Sequence, residues 1–321
     1  MNKGRQKLRI VISAFACEPY RGSEQEIGWK WAVELASAGL HVVVLTQLRN
    51  LPGLERGMKL AELDRLPLKF VYVQFPRPIY LLKSRFDILT MPYYAAWQWL
   101  ALRKAREFHA TEPFDLVHHL TFATFRVPIP MKRLGVPVVF GPVGGAAQAS
   151  WALLGHRSRP GAYLKEAVRN LLTGLGVVAQ RLMPPLRQGR GICLSATPGM
   201  HGIFSRLGLP SKIYPTIGVD IVSDRPVGRD PSIPARNFLF VGRLHFLKGL
   251  QLLLDALAMV ELSDVVLTVV GDGDERMPLE RQAEKLGIAD RVRFLGRIPR
   301  EELGPVYRDH DVRWAPSLYE S

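Results

Sequence analysis

The sequence FLFVGRLHFLKG at residues 238–249 combines an apolar run, a glycine and two cations in one short stretch. The apolar run predicts a buried β-strand that ends at Gly242, where the absence of a side chain lets a ligand approach the backbone. An amphipathic helix is predicted at Leu250–Val260, with a buried stripe of Leu250, Leu253, Leu254 and Leu257. Arg243 and Lys248 lie just before this helix, so we expect an anion-binding loop at a helix N-terminus. It is not a P-loop, because the glycine spacing and the Lys-Ser/Thr pair of that motif are missing. The competing interpretation is that both cations are merely exposed. The order strand, loop, helix is typical of an α/β domain.

Strands and helices alternate on both sides of this stretch. Downstream, we predict strands at Val265–Val270 and Val292–Leu295 with a helix at Met277–Leu286 between them. The elements predicted upstream are strands at Leu8–Phe15, His41–Gln47, Phe70–Gln74, Leu116–His119 and Val136–Phe140, and a helix at Glu24–Ala38. The two series predict two α/β domains with parallel sheets.

The length and composition are those of a globular protein with two domains. The chain has 321 residues, of which 47% are hydrophobic, which is enough for two cores. We predict a first domain at residues 1–205 and a second at 206–321, with a Pro- and Gly-rich segment at Tyr214–Pro234. The only two cysteines, Cys17 and Cys193, exclude a disulfide framework and a four-thiolate zinc site, so we expect a cytoplasmic location.

The positive charge is unevenly distributed. Residues 1–205 contain 27 Lys and Arg against 12 Asp and Glu, a net charge of +15, whereas residues 206–321 contain 16 against 17, a net charge of −1. A strongly basic domain indicates a polyanionic partner.

Two basic segments, Ile79–Phe108 and Trp151–Arg190, do not alternate in the same way and combine leucines and aromatic residues with cations. One interpretation is a pair of helical insertions that pack on the sheet and leave a solvated basic rim. The other is a face that binds an anionic membrane surface, because basic residues beside Trp and Leu are typical of interfacial helices. We expect no nucleic-acid partner, because no known nucleic-acid-binding module is present.

Seven short motifs occur in an order and spacing that resemble a known family. They are Ala16–Pro19 and Gly22–Glu24 with Gly28–Trp29, Asp115–His119, Gly141–Gly145, Pro215–Asp220, Gly242–Arg243 with Lys248–Gly249, Gly271–Gly273, and Pro316–Glu320. Together they resemble the retaining, nucleotide-sugar-dependent glycosyltransferases of family four. The resemblance covers nearly the whole chain and implies the GT-B fold, in which two Rossmann-like domains face each other.

The resemblance implies a donor site in the second domain, with a nucleoside-diphosphate sugar as substrate and no separate cofactor. Arg243 and Lys248 would stabilise the negative charge that builds up on the leaving diphosphate in the transition state. Glu320 would hold a hydroxyl of the donor sugar. The implied substrate-binding residues are Gly22, Ser23, Gly144, Gly145, Gly242, Gly271 and Gly273.

The resemblance also implies that His118 or His119 contacts the sugar near the reacting carbon. Adjacent strand residues point to opposite faces, so only one of them can do so, and the sequence leaves open which. The competing interpretation for each is a core histidine. The family's usual second histidine would fall at Leu120.

No metal site is expected. Asp272-Gly273-Asp274 and Asp309-His310-Asp311 spell the Asp-x-Asp signature by which another glycosyltransferase fold binds a divalent ion, but the first lies in a Rossmann-type turn and the second lacks further carboxylates nearby. Retention of the anomeric configuration in this fold is usually explained by attack of the acceptor on the same face of the sugar from which the leaving group departs. We therefore name no catalytic base.

The sequence therefore predicts transfer of a sugar to a glycan, a lipid-linked or a small-molecule acceptor. The alternatives are a nucleotide-sugar epimerase of the same fold and a non-catalytic protein that binds anionic membranes. The family pattern continues after Glu320 to a second glutamate, whereas this chain ends at Ser321. We therefore expect an incomplete second domain. The 321-residue form should be poorly soluble or self-associating and should transfer no sugar, whereas a form extended through the missing segment should be active.

Overall fold

The computed structural model describes residues 7–86, 89–124, 127, 129–144, 160–181, 190–216, 232, 234–260, 264–299 and 302–317. The chain divides into two compact units. The first comprises Met1–Ala146 and Leu171–Gly218, and the second comprises Ala147–Asn170 and Val219–Ser321.

The first unit contains a seven-stranded sheet in the order β3-β2-β1-β4-β5-β6-β7, in which every neighbouring pair is parallel. The strands are β1 (Arg9–Ser13), β2 (His41–Thr46), β3 (Leu68–Tyr72), β4 (Leu116–His119), β5 (Val138–Val143), β6 (Gly191–Ser195) and β7 (Ser211–Ile213). The sheet thus continues past residue 205 to Ile213, and the domain boundary predicted at 205/206 stays a prediction.

The helices in this part of the chain are α1 (Ser23–Ser37), α2 (Leu51–Leu60), α3 (Arg77–Arg85), α4 (Thr90–Thr111), α5 (Pro160–Arg181) and α6 (Pro198–Arg206). Helix α1 connects β1 to its parallel neighbour β2, as in the predicted βαβ unit. Ala32 and Ala36 of α1 are fully buried against the sheet.

The second unit contains a four-stranded parallel sheet in the order β10-β9-β8-β11. Its strands are β8 (Asn237–Val241), β9 (Val266–Val270), β10 (Val292–Gly296) and β11 (Val312–Arg313), and its helices are α7 (Leu250–Ala258), α8 (Arg276–Lys285) and α9 (Leu303–Arg308). The predicted stripe of Leu250, Leu253, Leu254 and Leu257 is buried in the core. Two parallel sheets with connecting helices confirm the predicted α/β class.

The first basic segment forms α3 and α4, and most of its aromatic residues belong to the core. Tyr93, Tyr94 and Trp97 on α4 are at most 7% exposed, and the indole N–H of Trp97 donates to the carbonyl of Val73 (2.9 Å). These three side chains pack as expected of a helical insertion and are not available to a membrane. Trp99 is 47% exposed and lies under the guanidinium of Arg133.

Within the described residues, none of the helices combines the length and the apolarity needed to cross a lipid bilayer. Cys17 and Cys193 are free thiols, and burial raises the pKa of both.

Candidate functional site

The loops after β8 and β9 are joined by backbone hydrogen bonds. The N–H of Gly242 donates to the carbonyl of Val270 (3.0 Å), and the N–H of Leu244 donates to the carbonyl of Asp272 (3.0 Å). The carbonyl of Leu244 in turn accepts from the N–H of Glu275 (3.2 Å). Because all strands are parallel, these loops lie at the carboxyl edge of the sheet, where α/β proteins bind ligands.

Gly271 lies where the two loops come closest. Its φ is +140°, and a Cβ there would overlap the carbonyl oxygen of Gly242. Any other residue would therefore push the loops apart. Gly273 is in the same turn, and its N–H donates to Oδ1 of Asp272 (2.8 Å). The structure thus brings together Gly242, Gly271 and Gly273, which the sequence placed in one site.

Gly249 positions the segment that follows β11. Its φ is +73°, and a Cβ there would overlap the carbonyl oxygen of Pro316. The start of the Pro316–Glu320 motif therefore passes directly over the N-terminus of α7, beside Lys248. Glu320 itself lies outside the described residues.

Arg243 and Lys248 have side chains that are available to a ligand. Arg243 is exposed and Lys248 is half-buried. In the described part of the chain, neither side chain has a hydrogen bond or an ion pair. Both precede the N-terminus of α7, whose free N–H groups and dipole also favour an anion. Two unpaired cations at a helix N-terminus can bind a phosphate or a diphosphate.

The two Asp-x-Asp sequences have structural contacts. Oδ1 of Asp272 accepts from the N–H of Gly273, and Oδ2 of Asp311 accepts from the N–H groups of Arg236 and Asn237 (both 2.8 Å) at the start of β8. Among the residues that the structure describes, no three His, Cys, Asp or Glu side chains are placed to hold a metal ion.

In the first unit, Gly22 lies at the turn between β1 and α1. Its φ is +100°, it is exposed, and among the described residues no heavy atom lies within 4 Å of the position that a Cβ would occupy. Its carbonyl accepts from the N–H of Glu26 (2.9 Å), which begins the hydrogen bonding of α1. Ser23 is the first residue of α1. The backbone at Gly22 is therefore open to a ligand at a helix N-terminus.

Glu24 was not singled out by the sequence analysis. Its Oε1 accepts from the backbone N–H of Phe122 (2.6 Å) in the loop after β4, and burial raises the pKa of this carboxyl. Phe122 has a φ of +54°, which is unusual for a residue with a side chain. A second bond, from the N–H of Ala16 to Oγ1 of Thr121 (3.1 Å), joins the same two loops. A glutamate in the first turn after Gly-Ser is the signal in the sequence, but its long-range partner is visible only in the fold.

His118 and His119 are both buried, with 3% and 1% exposure. Nε2–H of His118 donates to the carbonyl of Gly141 (2.8 Å), and its ring packs against Trp31. Burial lowers the pKa of His118 to about 4 and that of His119 to about 3, so both rings are neutral at physiological pH.

His119 faces the opposite side of the strand and contacts Tyr94. The Tyr94 hydroxyl donates to the carbonyl of Phe122 (3.1 Å), so Nε2–H of His119 donates to the Tyr94 oxygen (2.9 Å). The contacts of both histidines are those of core residues, and the role of one of them as a sugar ligand stays a prediction.

The loop after β5 is described only in part. Gly144 follows the last residue of β5 and is half-buried, with only the Ala196 side chain within 4 Å of a Cβ position. Gly145 lies outside the described residues. The first unit therefore brings Gly22 and Gly144 to the carboxyl edge of its own sheet.

Comparisons with known proteins agree with this architecture. Residues 234–321 match the family described as glycosyl transferases group 1. Over 315 residues the chain is 27% identical to a 2-deoxystreptamine glucosyltransferase from Streptomyces kanamyceticus, an alignment that covers 89% of this chain and 73% of that protein. It is 41% identical over 119 residues to a D-inositol 3-phosphate glycosyltransferase from Corynebacterium jeikeium, which covers 33% of this chain and 28% of that protein.

The fold is similar to that of the Anabaena protein HepE, crystallised in complex with UDP and glucose. The TM-score is 0.58 at 16% identity, with 97% of this chain and 74% of that chain covered. The chain spans less than a third of the length of several curated relatives that it matches. The family model, the relatives and the fold agree with the resemblance: residues 234–321 match the glycosyl transferases group 1 family, and the chain has the parallel α/β architecture of GT-B glycosyltransferases.

Proposed function

We propose that this chain is a retaining family-four glycosyltransferase that moves a sugar from a nucleoside-diphosphate sugar to an acceptor hydroxyl. The observation that carries the proposal is the pair of unpaired cations, Arg243 and Lys248, ahead of the N-terminus of α7. A diphosphate is the part of such a donor that this pair fits, because it carries two adjacent negative phosphates.

In this reaction the bond between the anomeric carbon and the diphosphate oxygen breaks, and both electrons stay on the diphosphate. A new bond forms between the anomeric carbon and the acceptor oxygen, and the proton of the acceptor hydroxyl passes to the departing diphosphate. Negative charge therefore grows on the leaving group. Arg243 and Lys248 would stabilise it more in the transition state than in the bound substrate, without a metal ion. The start of the Pro316–Glu320 motif lies beside Lys248, so we keep Glu320 as a donor-sugar ligand.

We assign the acceptor to the first unit, at the open backbone of Gly22 and Ser23 and at Gly144 and Gly145. Glu24 would position the neighbouring loop through the N–H of Phe122. Two relatives are named for 2-deoxystreptamine and D-inositol 3-phosphate. We therefore propose a small-molecule acceptor as well as a glycan or a lipid-linked acceptor. The UDP in HepE makes uridine-diphosphate sugars the first donors to test.

We place the reaction in the cytoplasm, peripheral to the inner face of the membrane. Two free, buried thiols fit a reducing compartment, and the net charge of +15 in residues 1–205 fits an anionic surface. A purely membrane-binding protein needs no diphosphate site, and an epimerase needs no second site for an acceptor.

The test is a panel of nucleoside-diphosphate sugars added to the purified chain during thermal unfolding. A donor at about 100 times its dissociation constant should stabilise the chain by about 2.7 kcal/mol. Arg243→Ala should lose this stabilisation, whereas Arg293→Ala, which removes an exposed cation from β10, should keep it. Equal stabilisation of both variants, or none of the unchanged chain by any donor, would contradict the proposal.

A further inference from the structure

Helix α5 exposes a continuous apolar stripe. Five of its large apolar side chains are between 45% and 67% exposed: Leu164, Val168, Leu171, Leu172 and Leu175. Residues spaced by four, seven, eight and eleven positions lie on one face of an α-helix. The exposed residues are therefore not scattered, and they form one stripe along the helix.

The opposite side of α5 is polar and faces the protein. Thr173 is 7% exposed, and Arg169 and Asn170 are half-buried. A helix on the surface of a water-soluble domain normally has the reverse arrangement, with its apolar stripe towards the core. Contiguous exposed apolar stripes of this kind mark interaction surfaces.

Other exposed apolar residues in the described part of the chain are singles or short groups. Leu60, Met259 and Met277 are 67%, 84% and 62% exposed, each on a different element. Isolated residues of this kind are usual on a protein surface. Helix α3 exposes Ile79, Leu81 and Leu82, but it has nine residues whereas α5 has 22.

The charge around α5 identifies the class of partner. Residues 151–190 contain seven Lys and Arg and a single acidic residue, Glu166, for a net charge of +6. Two copies joined through this segment would bring like charges together, which opposes a symmetric dimer. An anionic bilayer offers an apolar interior below negatively charged headgroups, and it matches both features.

We propose that α5 binds the surface of an anionic lipid bilayer, with its leucine stripe among the acyl chains and the flanking cations at the headgroups. The inference rests on the peripheral location proposed above and specifies the helix responsible. The helix lies in the interface and does not cross the bilayer. Of the aromatic residues of α4, which the sequence also offered for this role, Tyr93, Tyr94 and Trp97 are in the core.

The test is co-sedimentation of the full chain with vesicles, without any nucleotide sugar. We expect binding to vesicles of phosphatidylcholine mixed with phosphatidylglycerol, weaker binding as salt rises, and little binding to phosphatidylcholine alone. The triple variant L171Q/L172Q/L175Q should bind the mixed vesicles roughly tenfold or more weakly.

The matched control is the triple variant L60Q/M259Q/M277Q, which removes equally exposed apolar side chains elsewhere and leaves the net charge unchanged. It should bind like the unchanged chain. The thermal unfolding of all three proteins shows whether the substitutions alter the fold, since exposed side chains contribute little to stability.

The proposal is wrong if the α5 variant binds as tightly as the unchanged chain, if the unchanged chain binds neither vesicle, or if it binds both equally. It is also wrong if light scattering shows a dimer that L171Q/L172Q/L175Q dissociates, because the stripe is then an interface between two copies. None of these outcomes bears on stabilisation by nucleotide sugars, so the two proposals fail separately.

Discussion

The carboxyl edges of the two sheets are built by different means. In the first unit, side chains connect the loops: Glu24 binds the N–H of Phe122, and Thr121 accepts from the N–H of Ala16. In the second unit, backbone groups connect the loops, and Gly271 lets them approach. The second arrangement leaves Arg243 free of partners among the described residues. A polar residue at the end of a strand is thus available to a ligand only when the loop does not need it.

The two histidines of β4 in the first unit bind groups inside the protein. His118 and His119 are buried and hydrogen-bonded, although they lie on a strand that ends at the same edge as Gly22. Arg243 and Lys248 occupy the equivalent region of the other sheet and are not buried. We therefore expect substitutions of Arg243 and Lys248 to affect turnover, and substitutions of Glu24 and His118 to affect stability.

The largest effect is expected at the cation pair. Arg243→Ala and Lys248→Ala should each lower turnover by roughly 100-fold or more, because one preorganised charge-stabilising group contributes about 3 kcal/mol to transition-state binding. The unfolding temperature should not change, because neither side chain has a partner within the described residues. Turnover is measured as steady-state rates of the extended form, which is the form expected to transfer sugar, with the stabilising donor, and stability is measured by thermal unfolding.

Arg293→Ala and Lys285→Ala are the controls, since both remove exposed cations of the same unit outside the loop. They should retain normal turnover. Near-normal rates from both Arg243→Ala and Lys248→Ala would show that these cations do not stabilise the leaving diphosphate. The difference proposed between the two sheet edges would then be wrong.

A smaller effect is expected when the glycine that joins the loops is replaced. Gly271→Ala adds a Cβ that overlaps the carbonyl oxygen of Gly242, at a φ of +140° that alanine rarely adopts. It should destabilise the second unit by about 2–3 kcal/mol. Gly304→Ala on α9 is the control, because the Arg308 side chain, 3.8 Å away, is its nearest contact. Equal unfolding temperatures for the two variants would show that backbone proximity does not hold these loops.

The corresponding test in the first unit is Glu24. Glu24→Ala leaves the N–H of Phe122 without its acceptor and should cost about 1–2 kcal/mol, measured by denaturant unfolding. Glu24→Gln keeps an oxygen acceptor and should recover most of the lost stability. If the glutamine variant is as unstable as the alanine variant, the hydrogen bond is not what connects the loops after β1 and β4.

Much of the fold was predictable because the hydrophobic periodicity of a segment matches the residues that this segment buries. The predicted strand Leu116–His119 coincides with β4, and the predicted leucine stripe of α7 is buried. Strands β6, β7 and β11 were not predicted. The last two have three and two residues, too few for a periodic pattern, and their pairing depends on neighbours that are distant in sequence.

The turn glycines of the second unit were predictable because they follow from the order of strand, turn and helix. Their role in binding a donor stays a prediction. Glu24 was missed because its partner, Phe122, is 98 residues away in the chain. The aromatic residues of α4 looked like a membrane face because sequence alone does not show which side of a helix faces the sheet. The fold buries Tyr93, Tyr94 and Trp97 of α4, and we therefore proposed α5 for that role.

The last expected effect concerns the pH dependence of stability. Burial lowers the pKa of His118 to about 4 from an ordinary value of 6.5, so between these pH values the unfolded chain binds more protons than the folded one. The contribution of His118 to stability is complete above pH 6.5 and is lost as the pH falls towards 4.

Replacing this imidazole should therefore flatten the pH dependence. His118→Gln keeps a donor for the carbonyl of Gly141 and cannot titrate. The slope of the free energy of unfolding between pH 4 and 6.5 should fall by up to about 1.4 kcal/mol per pH unit. Burial also raises the pKa of the Glu24 carboxyl. Its contribution to the pH dependence of stability opposes that of His118 above pH 4.5. It is present in the unchanged chain and in His118→Gln, so it cancels in the comparison.

His41→Gln, which removes an exposed imidazole from the first residue of β2, is the control and should keep the original slope. An unchanged slope in His118→Gln would mean that the ring is already accessible to protons in the folded chain. His118 would then lie in an accessible part of the sheet edge rather than in the core. This result would favour His118 for the sugar-contacting role that the family resemblance implies.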